Sequence, residues 1–257
     1  MEEECRCQPC DGSWGDVLTV DDVLVRFGGL KALDGISFSV NEGEVLGMIG
    51  PNGSGKSTAF NVITGTVKPQ SGSVSFKGQD ITGRSSHRVA RMGIGRTFQV
   101  VRPFPGMTAL ENVLIGRMYG HSNTGKGEAM DSSLEILRRV GLAEKAQVMA
   151  ADLTILERKW LEVARALAGE PQLVLLDEFM AGISSSEVPA AVELVRSINH
   201  SGVTVVLVEH IVKAIVGACD RVIVLDAGRL LAEGTVDEVI ENPKVIEAYL
   251  GTRRARG

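Results

Sequence analysis

The chain has 257 residues, a formal net charge of −5 and 44% apolar residues. This length suits one large domain or one domain with an added lobe, and the apolar content is sufficient for a packed core. The negative charge argues against a broad nucleic-acid-binding surface, and no apolar run approaches the roughly 18 residues that a membrane-spanning helix needs.

Residues 1–16 have no apolar periodicity and are predicted to form a disordered tail. Cys5, Cys7 and Cys10 lie in this tail, whereas Cys219 is far from it. Three closely spaced thiols are compatible with a metal or redox role, but a zinc site usually has four ligands. A reduced, poorly ordered tail is the simpler interpretation. Because three glutamates follow the first methionine, we see no signal-peptide pattern and expect a cytoplasmic protein.

Alternating apolar residues predict an antiparallel β layer in the first third of the chain. Residues 17–40 alternate between apolar and polar side chains, and the pattern returns at Val74 and Phe76. Such alternation is typical of strands with one buried face.

A glycine-rich stretch between these strands matches the phosphate-binding loop pattern, in which four residues separate a glycine from Gly-Lys-Ser. Apolar residues 45–49 precede it and helix-compatible residues 58–63 follow, as the motif requires, which disfavours a chance glycine-rich turn. The glycines allow a tight turn around a phosphate, and N–H groups at the start of the next helix point at the anion. Lys56 can reach terminal phosphates, and Ser57 offers a hydroxyl to Mg²⁺. The stretch comprises Gly50, Pro51, Asn52, Gly53, Ser54, Gly55, Lys56, Ser57 and Thr58.

Residues 100–168 are predicted to form an inserted helical lobe. Thr108 and Glu111 have capping-box spacing at the start of a helix that runs to about Met118. A second helix is expected to end near Gly141. A third has one apolar helical face, formed by Trp160, Leu161, Ala164 and Leu167.

Three short apolar runs predict strands that are buried on both faces and therefore a parallel sheet. They are residues 173–176, 203–208 and 222–225. The first run ends in Asp177 and Glu178, and an apolar strand that ends in Asp beside a phosphate loop is the NTPase arrangement. Asp177 would hold Mg²⁺ through water opposite Ser57, and Glu178 would orient and deprotonate the attacking water. A helix-capping pair of acids is the alternative interpretation.

The C-terminal region is predicted to contain a capping box at Thr235 and Glu238 and, after Asn242-Pro243, a last short helix to Leu250. Residues 252–257 are a basic tail, for which a solvated segment is the simplest interpretation. The predicted fold class is therefore α/β, with a parallel-sheet nucleotide-binding core, an antiparallel β layer and an inserted α-helical lobe.

The order of these motifs resembles the ABC-type ATPases, and more narrowly the ATP-binding subunits of branched-chain amino acid ABC importers. The phosphate loop and the acid pair are marks of the superfamily. The Arg-Thr-Phe-Gln stretch and the Asn-Pro…Tyr-Leu-Gly ending are marks of the narrower group. The resemblance covers about residues 17–251 as one ATPase domain, and the stretches that carry it are residues 26–33, 50–58, 95–99, 107–112, 177–178, 181–183, 208–210 and 242–251.

The resemblance implies roles for individual residues toward ATP and Mg²⁺. Phe27 would stack on adenine, and Gln99 would sense the γ-phosphate and Mg²⁺ and link the core to the helical lobe. His210 would hold the γ-phosphate and the attacking water. The alternatives are a core aromatic, a surface glutamine and a hydrogen-bonded core histidine. The implied catalytic residues are Lys56, Gln99, Glu178 and His210, and the implied Mg²⁺ ligands are Ser57, Gln99 and Asp177.

One segment departs from the family pattern. ABC ATPases bind ATP between two subunits, and each site combines the phosphate loop of one chain with a Leu-Ser-Gly-Gly-Gln signature of the other. This chain reads Leu153-Thr154-Ile155-Leu156-Glu157 at the matching place. Thr154 keeps a hydroxyl, both glycines are lost, and Glu157 brings a negative charge near a phosphate. We therefore expect a different ATPase chain as partner, with a second copy of this chain as the alternative, and faster hydrolysis at the site that uses Glu178.

The implied assembly contains two ATPase chains, two integral-membrane permease subunits and, indirectly, a substrate-binding protein, at the cytoplasmic face of the cell membrane and without nucleic acid. A groove near residues 99–104 would contact the permease, although burial within the lobe is the alternative. The cargo would be branched-chain amino acids or a related small polar solute. Three alternatives stay open: a lipid or lipopolysaccharide export ATPase, a soluble ABC-type ATPase of DNA repair or translation, and a non-hydrolysing regulatory binder.

Overall fold

The computed structural model describes residues 15–97, 103–119 and 126–254. Cys5, Cys7, Cys10 and Gln99 lie outside these ranges, so the tail and the Gln99 predictions concern residues beyond the described structure. The strands are β1 (Asp16–Phe27), β2 (Leu30–Asn41), β3 (Val45–Ile49), β4 (Ser71–Phe76), β5 (Gln79–Asp80), β6 (Ile94–Arg96), β7 (Leu173–Asp177), β8 (Thr204–Val208), β9 (Arg221–Asp226) and β10 (Arg229–Gly234). The helices are α1 (Lys56–Ile63), α2 (Ser86–Arg91), α3 (Ala109–Tyr119), α4 (Lys126–Arg139), α5 (Ile155–Leu167), α6 (Val188–His200), α7 (Val212–Ala218), α8 (Val236–Ile240) and α9 (Pro243–Arg254).

The strands form two sheets. One is four-stranded with the order β2-β1-β4-β5, and the other is six-stranded with the order β10-β9-β3-β8-β7-β6. The first sheet is antiparallel throughout. In the second, β3, β6, β7, β8 and β9 pair in parallel, and β10 is an antiparallel edge strand. The predicted α/β fold, with a parallel core and an antiparallel layer, is confirmed.

The parallel strands are buried on both faces, as their unbroken apolar runs predict. In β7, Leu173 and Leu175 pack in a cluster with the antiparallel layer and α1. Val174 and Leu176, from the opposite face of the same strand, pack in a second cluster with α5, α6 and α7. A strand between two apolar layers has no solvent-facing positions, which is why its sequence does not alternate.

Helices α3, α4 and α5 occupy the chain between β6 and β7, where the sequence predicts helices. The capping box at the start of α3 is present, because the Thr108 N–H donates to Glu111 Oε2 at 2.7 Å and the Glu111 N–H donates to Thr108 Oγ1 at 3.2 Å. Helix α4 stops before Gly141, whose φ of 75° is left-handed. None of the described helices has the length and apolar character needed to cross a membrane.

The register of the parallel sheet determines where the functional motifs meet. Val208 of β8 pairs with Met48 of β3 on one side and with Asp177 of β7 on the other. The phosphate loop, the acid pair and the Glu209-His210 segment therefore all follow strands that end in one row. Ligands of open α/β sheets bind at this carboxyl edge.

Candidate active site

The phosphate loop leads from β3 into α1. Its backbone conformation requires glycine at two positions, Gly50 and Gly55. Gly55 caps α1 with a left-handed φ of 111°. Gly50 has a φ of 151°, and a Cβ there would lie 2.0 Å from the carbonyl oxygen of Leu225. A side chain at Gly50 would push the loop away from β9, so glycine is required for this close approach.

Lys56 is folded back onto the loop that carries it. Its Nζ donates to the carbonyl oxygens of Gly50 at 2.8 Å and Pro51 at 3.0 Å. Burial lowers the pKa of Lys56, while the nearby carboxylates of Glu178 and Asp177 act in the opposite direction. The ammonium group therefore lies within the electrostatic reach of both acids and is held by carbonyls that a phosphate can replace.

A cavity of about 1060 Å³ opens above the loop. It brings together residues that are far apart in sequence, and it is large enough for a nucleotide. Phe27 stands at its rim with 53% of its surface exposed, which leaves the ring face accessible to a flat ligand. The predicted site residues that line it are Phe27, Asn52, Gly53, Ser54, Gly55, Lys56, Ser57, Thr58, Glu178 and His210.

Glu178 and His210 form a pair within this cavity. His210 Nε2 lies 2.9 Å from Glu178 Oε1. Glu178 has a left-handed φ of 49°, which is uncommon for a residue with a side chain. Its backbone N–H donates to the Val208 carbonyl of the neighbouring strand at 2.9 Å, which holds this conformation. The carboxylate is thus presented to the cavity by the backbone of β7 and β8 together.

Arg96 is a site residue to which the sequence analysis assigned no role. Its Nη2 contacts Asp177 Oδ2 at 2.9 Å, and both side chains are buried. Arg96 also donates to Asn61 of α1 and to Thr64, which follows the end of that helix. Burial raises the pKa of Asp177, and the Arg96 guanidinium opposes that rise. The sequence contained a signal for this residue, because Arg96 is the first residue of the Arg-Thr-Phe-Gln stretch that marks the narrower family group.

One carboxylate oxygen of Asp177 has no hydrogen-bond partner in the described part of the chain. This oxygen, Oδ1, is buried, although buried polar atoms are nearly always paired. The exposed Ser57 hydroxyl lines the cavity above. This donor set suits a hydrated Mg²⁺. Among the described residues, no group of three or more His, Cys, Asp or Glu side chains is arranged to hold a metal ion, so a metal ion here would depend on a bound phosphate for further ligands.

Glu209 is a second residue to which the sequence analysis assigned no role. It is buried at 2% exposure, and its Oε1 accepts from the Met180 N–H at 2.7 Å. Burial raises its pKa to about 7. Lys159 of α5 donates to the Phe179 carbonyl at 2.9 Å in the same region. The segment that follows Asp177 and Glu178 is therefore hydrogen-bonded both to the residue after β8 and to α5.

Residues 153–157, which stand where the family has its Leu-Ser-Gly-Gly-Gln signature and are called the signature segment below, form the N-terminus of α5. Thr154 caps this helix, and the Glu157 carboxylate accepts from the Thr154 N–H at 2.8 Å, while the Glu157 N–H donates to Thr154 Oγ1 at 3.2 Å. Glu157 also pairs with Lys145 at 3.5 Å. Ile155 is 70% exposed. The Thr-x-x-Glu spacing is itself a capping-box pattern, a signal to which the sequence analysis gave no weight at this position.

The signature segment and the phosphate loop of the same chain do not share a cavity. Among the described residues that line the nucleotide-sized cavity, none belongs to Leu153, Thr154, Ile155, Leu156 or Glu157. The described lining of the cavity therefore comes from the phosphate loop, the ends of the parallel strands and the edge of the antiparallel layer, without the start of α5.

Comparison with known proteins agrees with this geometry. The family model described as ABC transporter matches residues 33–181, and the model described as branched-chain amino acid ATP-binding cassette transporter matches residues 229–255. The high-affinity branched-chain amino acid transport ATP-binding protein LivG of Salmonella typhimurium is 38% identical over 91% of this chain and 98% of its own length. BraF of Pseudomonas aeruginosa, which has the same description, is also 38% identical with the same coverage.

Solved structures give the same result. An ATP-binding cassette of an ABC transporter, solved in its ADP conformation, has a TM-score of 0.85 and 34% identity, and the match covers 92% of this chain and 99% of that one. A second cassette, described as a dimer in a post-hydrolysis state bound to ADP and Pi, has a TM-score of 0.76 and 27% identity, with 85% and 98% covered. The chain belongs to the ABC transporter family and is one of its ATP-hydrolysing, ATP-binding subunits.

Proposed function

We propose that this chain powers an importer of branched-chain amino acids, or of a related small polar solute, from the cytoplasmic face of the cell membrane. The observation that carries hydrolysis is the pairing of Glu178 with His210 in a cavity that also contains the phosphate loop. Support for the cargo comes from the match of residues 229–255 and from the LivG and BraF relatives.

The side chains that meet in the cavity have separate tasks toward ATP. Lys56 exchanges the Gly50 and Pro51 carbonyls for terminal phosphate oxygens, and Phe27 stacks on the adenine at the rim. Glu178 accepts the proton of the attacking water, as a carboxylate within hydrogen-bond reach can do. His210 donates a hydrogen bond to the γ-phosphate, and Gln99 is assigned to the same phosphate by family resemblance.

Ser57 and Asp177 are the residues proposed to hold Mg²⁺, with Gln99 as a third ligand by resemblance. The unpaired Asp177 Oδ1 supports this assignment. When bound, Mg²⁺ neutralises charge that builds on the phosphate oxygens. The Arg96 guanidinium fixes the other Asp177 oxygen, so the free oxygen stays directed at the site.

A second, different ATPase chain is the proposed partner. Glu157 occupies the N–H of its own helix start and adds a negative charge there, so this helix end is poorly suited to a second chain's phosphate. The exposed Ile155 suits contact with a protein surface. Hydrolysis would proceed faster at the site that uses Lys56, Asp177 and Glu178 of this chain and the signature of its partner.

The permease contact is proposed for the groove between α2, α3 and α5. A cavity of about 350 Å³ lies there, lined mainly by apolar surface and including Ile115 and Arg165. The Arg165 guanidinium lies 5.1 Å from the ring centre of Phe104, which is 43% exposed beside the groove. An accessible aromatic at a groove edge is suited to a protein contact.

Uptake measurement tests the cargo. Cells that lack this gene are complemented with wild type, with Glu178→Gln or with the surface control Glu193→Gln, and initial uptake of radiolabelled leucine, isoleucine and valine is measured. Wild type and the control should restore uptake, and Glu178→Gln should not. The proposed cargo would be wrong if the deletion left uptake of all three amino acids unchanged. Loss of urea uptake, amide uptake or lipid export in the same deletion strain would then identify the alternative cargo.

Affinity purification tests the partner. The tagged chain is isolated from detergent-solubilised membranes, and the co-purifying proteins are identified by mass spectrometry. Two multi-span permeases and a second ATPase with an intact Ser-Gly-Gly signature are expected. A permease complex that contains two copies of this chain and hydrolyses ATP at full rate would overturn the heterodimer.

A further inference from the structure

Helix α5 contacts the segment after the acid pair through one buried ammonium group. Lys159 lies in the second turn of α5 and is only 7% exposed. Its Nζ donates to the carbonyl oxygen of Phe179 at 2.9 Å, and Phe179 directly follows Glu178. Lys159 is not among the described residues that line the nucleotide-sized cavity, and the proposed mechanism gives it no task. Because a lysine is seldom buried without a specific partner, this contact calls for an explanation.

Hydrogen bonds from two directions hold the backbone around Glu178. From the sheet, the Val208 carbonyl accepts from the Glu178 N–H at 2.9 Å, and Glu209 Oε1 accepts from the Met180 N–H at 2.7 Å. From the opposite direction, α5 supplies Lys159. Glu178 has a left-handed φ of 49°, a conformation that costs free energy in a residue with a side chain and persists only where its surroundings hold it.

Phe179 contacts α5 a second time, through its side chain. Its ring centre lies 5.9 Å from that of Trp160, with a tilt of 50° between the rings. The residue next to Glu178 is therefore held by α5 at both its carbonyl and its ring. The same helix begins at the signature segment, where Thr154 is the N-cap. One short helix thus links the signature segment to the backbone beside Glu178.

We propose that Lys159 is a positioning residue for Glu178. Its ammonium group fixes the peptide between Phe179 and Met180, and this keeps the preceding residue in the left-handed turn that presents the Glu178 carboxylate to His210 and to the attacking water. Lys159 acts through the backbone and does not contact the nucleotide. The inference rests on the proposed role of Glu178 as the base.

The expected effect is on turnover and not on nucleotide affinity. Lys159→Met keeps the apolar stem and removes the ammonium group. We expect kcat to fall by roughly 10- to 100-fold, because a small displacement of a catalytic group has an effect of this size. The Kd for MgATP should stay within about twofold, since a loss confined to the transition state leaves ground-state binding intact. Lys159→Arg keeps the charge and the donors and should retain kcat within about fivefold, because the contact is one hydrogen bond to a carbonyl and not a bidentate pair.

A matched variant separates this role from the stability of α5. Val163 is fully buried four residues further along the same helix, and Val163→Ala should lower Tm through the cavity that it leaves while keeping kcat near the wild-type value. Phosphate release is measured on the transporter complex purified through a tag on the full-length chain, at a temperature well below every Tm. Calorimetric titration of the full-length chain with MgATP gives Kd. Hydrogen exchange of the peptide that covers residues 178–182 should become faster in Lys159→Met and stay unchanged in Val163→Ala.

The outcomes that would overturn the proposal are distinct from those that would overturn the site. Wild-type kcat in Lys159→Met would refute it, and so would an equal fall in kcat in Val163→Ala or in Lys159→Arg. If Lys159→Met does not fold, Lys159→Gln is measured in its place, because its polar amide is too short to reach the Phe179 carbonyl and the same loss of kcat is expected. Glu178→Gln is assayed in the same complex. Wild-type turnover in Glu178→Gln would refute the base itself, whereas an inactive Glu178→Gln beside a fully active Lys159→Met would refute the role of Lys159 alone.

Discussion

His210 Nε2 and Glu178 Oε1 lie 2.9 Å apart, although 32 residues separate them in the chain. They meet because Glu178 follows β7 and His210 follows β8, and these two strands are neighbours in the sheet. With its Nε2 protonated, the imidazole donates to the carboxylate and holds it toward the cavity. The side chain assigned as base and the side chain assigned to the γ-phosphate therefore orient each other before a nucleotide arrives.

Replacing Glu178 by Gln should abolish most turnover and spare ATP binding. Gln keeps the size and the hydrogen-bonding oxygen but cannot take a proton from water, and loss of a general base costs about 10²–10⁴ in rate. Steady-state phosphate release and MgATP titration on the same preparation measure the two effects. Glu193→Gln on the exposed side of α6 is the matched control. Wild-type turnover in Glu178→Gln would remove this residue from the role of base.

Replacing His210 by Ala should lower kcat with only a small effect on the Kd for MgATP. The variant loses the proposed donor to the γ-phosphate and the imidazole that contacts Glu178, and a single lost donor to developing charge typically costs about 10²–10³ in rate. Single-turnover hydrolysis, with enzyme in excess over ATP, separates chemistry from product release. A parallel rise in Kd with unchanged single-turnover rate would assign His210 to ground-state binding only.

Replacing Arg96 by Gln should destabilise the folded protein strongly. The Arg96–Asp177 pair is buried, and removal of one partner from such a pair costs about 3–5 kcal/mol because a charge is left behind. Denaturant unfolding at neutral pH measures the loss. Arg138→Gln, which removes an exposed ion pair with Glu135, should change stability by less than about 1 kcal/mol.

The double variant Arg96→Gln with Asp177→Asn removes both charges. It should recover a large part of the stability lost in the single Arg96→Gln variant, while remaining inactive because the proposed Mg²⁺ ligand is gone. If the single variant is as stable as wild type, then the pair does not contribute to the fold in the way that its burial indicates.

Glu209 should make stability depend on pH between about 4.5 and 7. Burial raises its pKa from the usual 4.5 to about 7, and the nearby Glu178 carboxylate adds to the rise. The backbone hydrogen bonds from Met180 and His210 and the Lys159 ammonium oppose the rise. The folded state therefore binds this proton more strongly than the unfolded state. The stability contributed by Glu209 is greatest below pH 4.5 and falls as the pH rises to 7, by on the order of 3 kcal/mol.

The matched comparison is Glu209→Gln, which cannot ionise and still accepts a hydrogen bond from the Met180 N–H. Unfolding free energies of this variant and of wild type are measured from pH 4.5 to 8. The variant should gain stability relative to wild type as the pH rises. A difference that stays constant over this range would show that Glu209 ionises as easily in the folded protein as in the unfolded chain.

Local patterns predicted most of the fold. The unbroken apolar runs at β7 and β8 indicated burial on two faces, and Thr108 with Glu111 indicated a helix start, because strand burial and helix capping depend on residues close in sequence. The phosphate loop and the acid pair were predicted in the same way. Each of these features carries its cause within about ten residues of chain.

Such local patterns could not predict contacts between residues that are far apart in sequence. Arg96 and Asp177 are 81 residues apart, and only the pairing of β6 with β7 brings them together. The raised pKa of Glu209 likewise depends on burial beneath the segment that follows β7, where the Met180 N–H donates to it. The burial of Arg96, Asp177 and Glu209 and the charges that face them depend on how the strands assemble. A single stretch of sequence therefore does not reveal them.

The position of β3 in the sheet has a consequence for how the protein is made. β3 pairs with β8 on one side and with β9 on the other, and both strands lie in the last quarter of the chain. During synthesis the segment before the phosphate loop therefore has neither hydrogen-bonded edge occupied until most of the chain has left the ribosome. Long-range parallel pairing of this kind forms slowly and leaves apolar edges exposed in the meantime. We therefore expect the nucleotide site to form only after most of the chain has been synthesised and β3 has paired with β8 and β9.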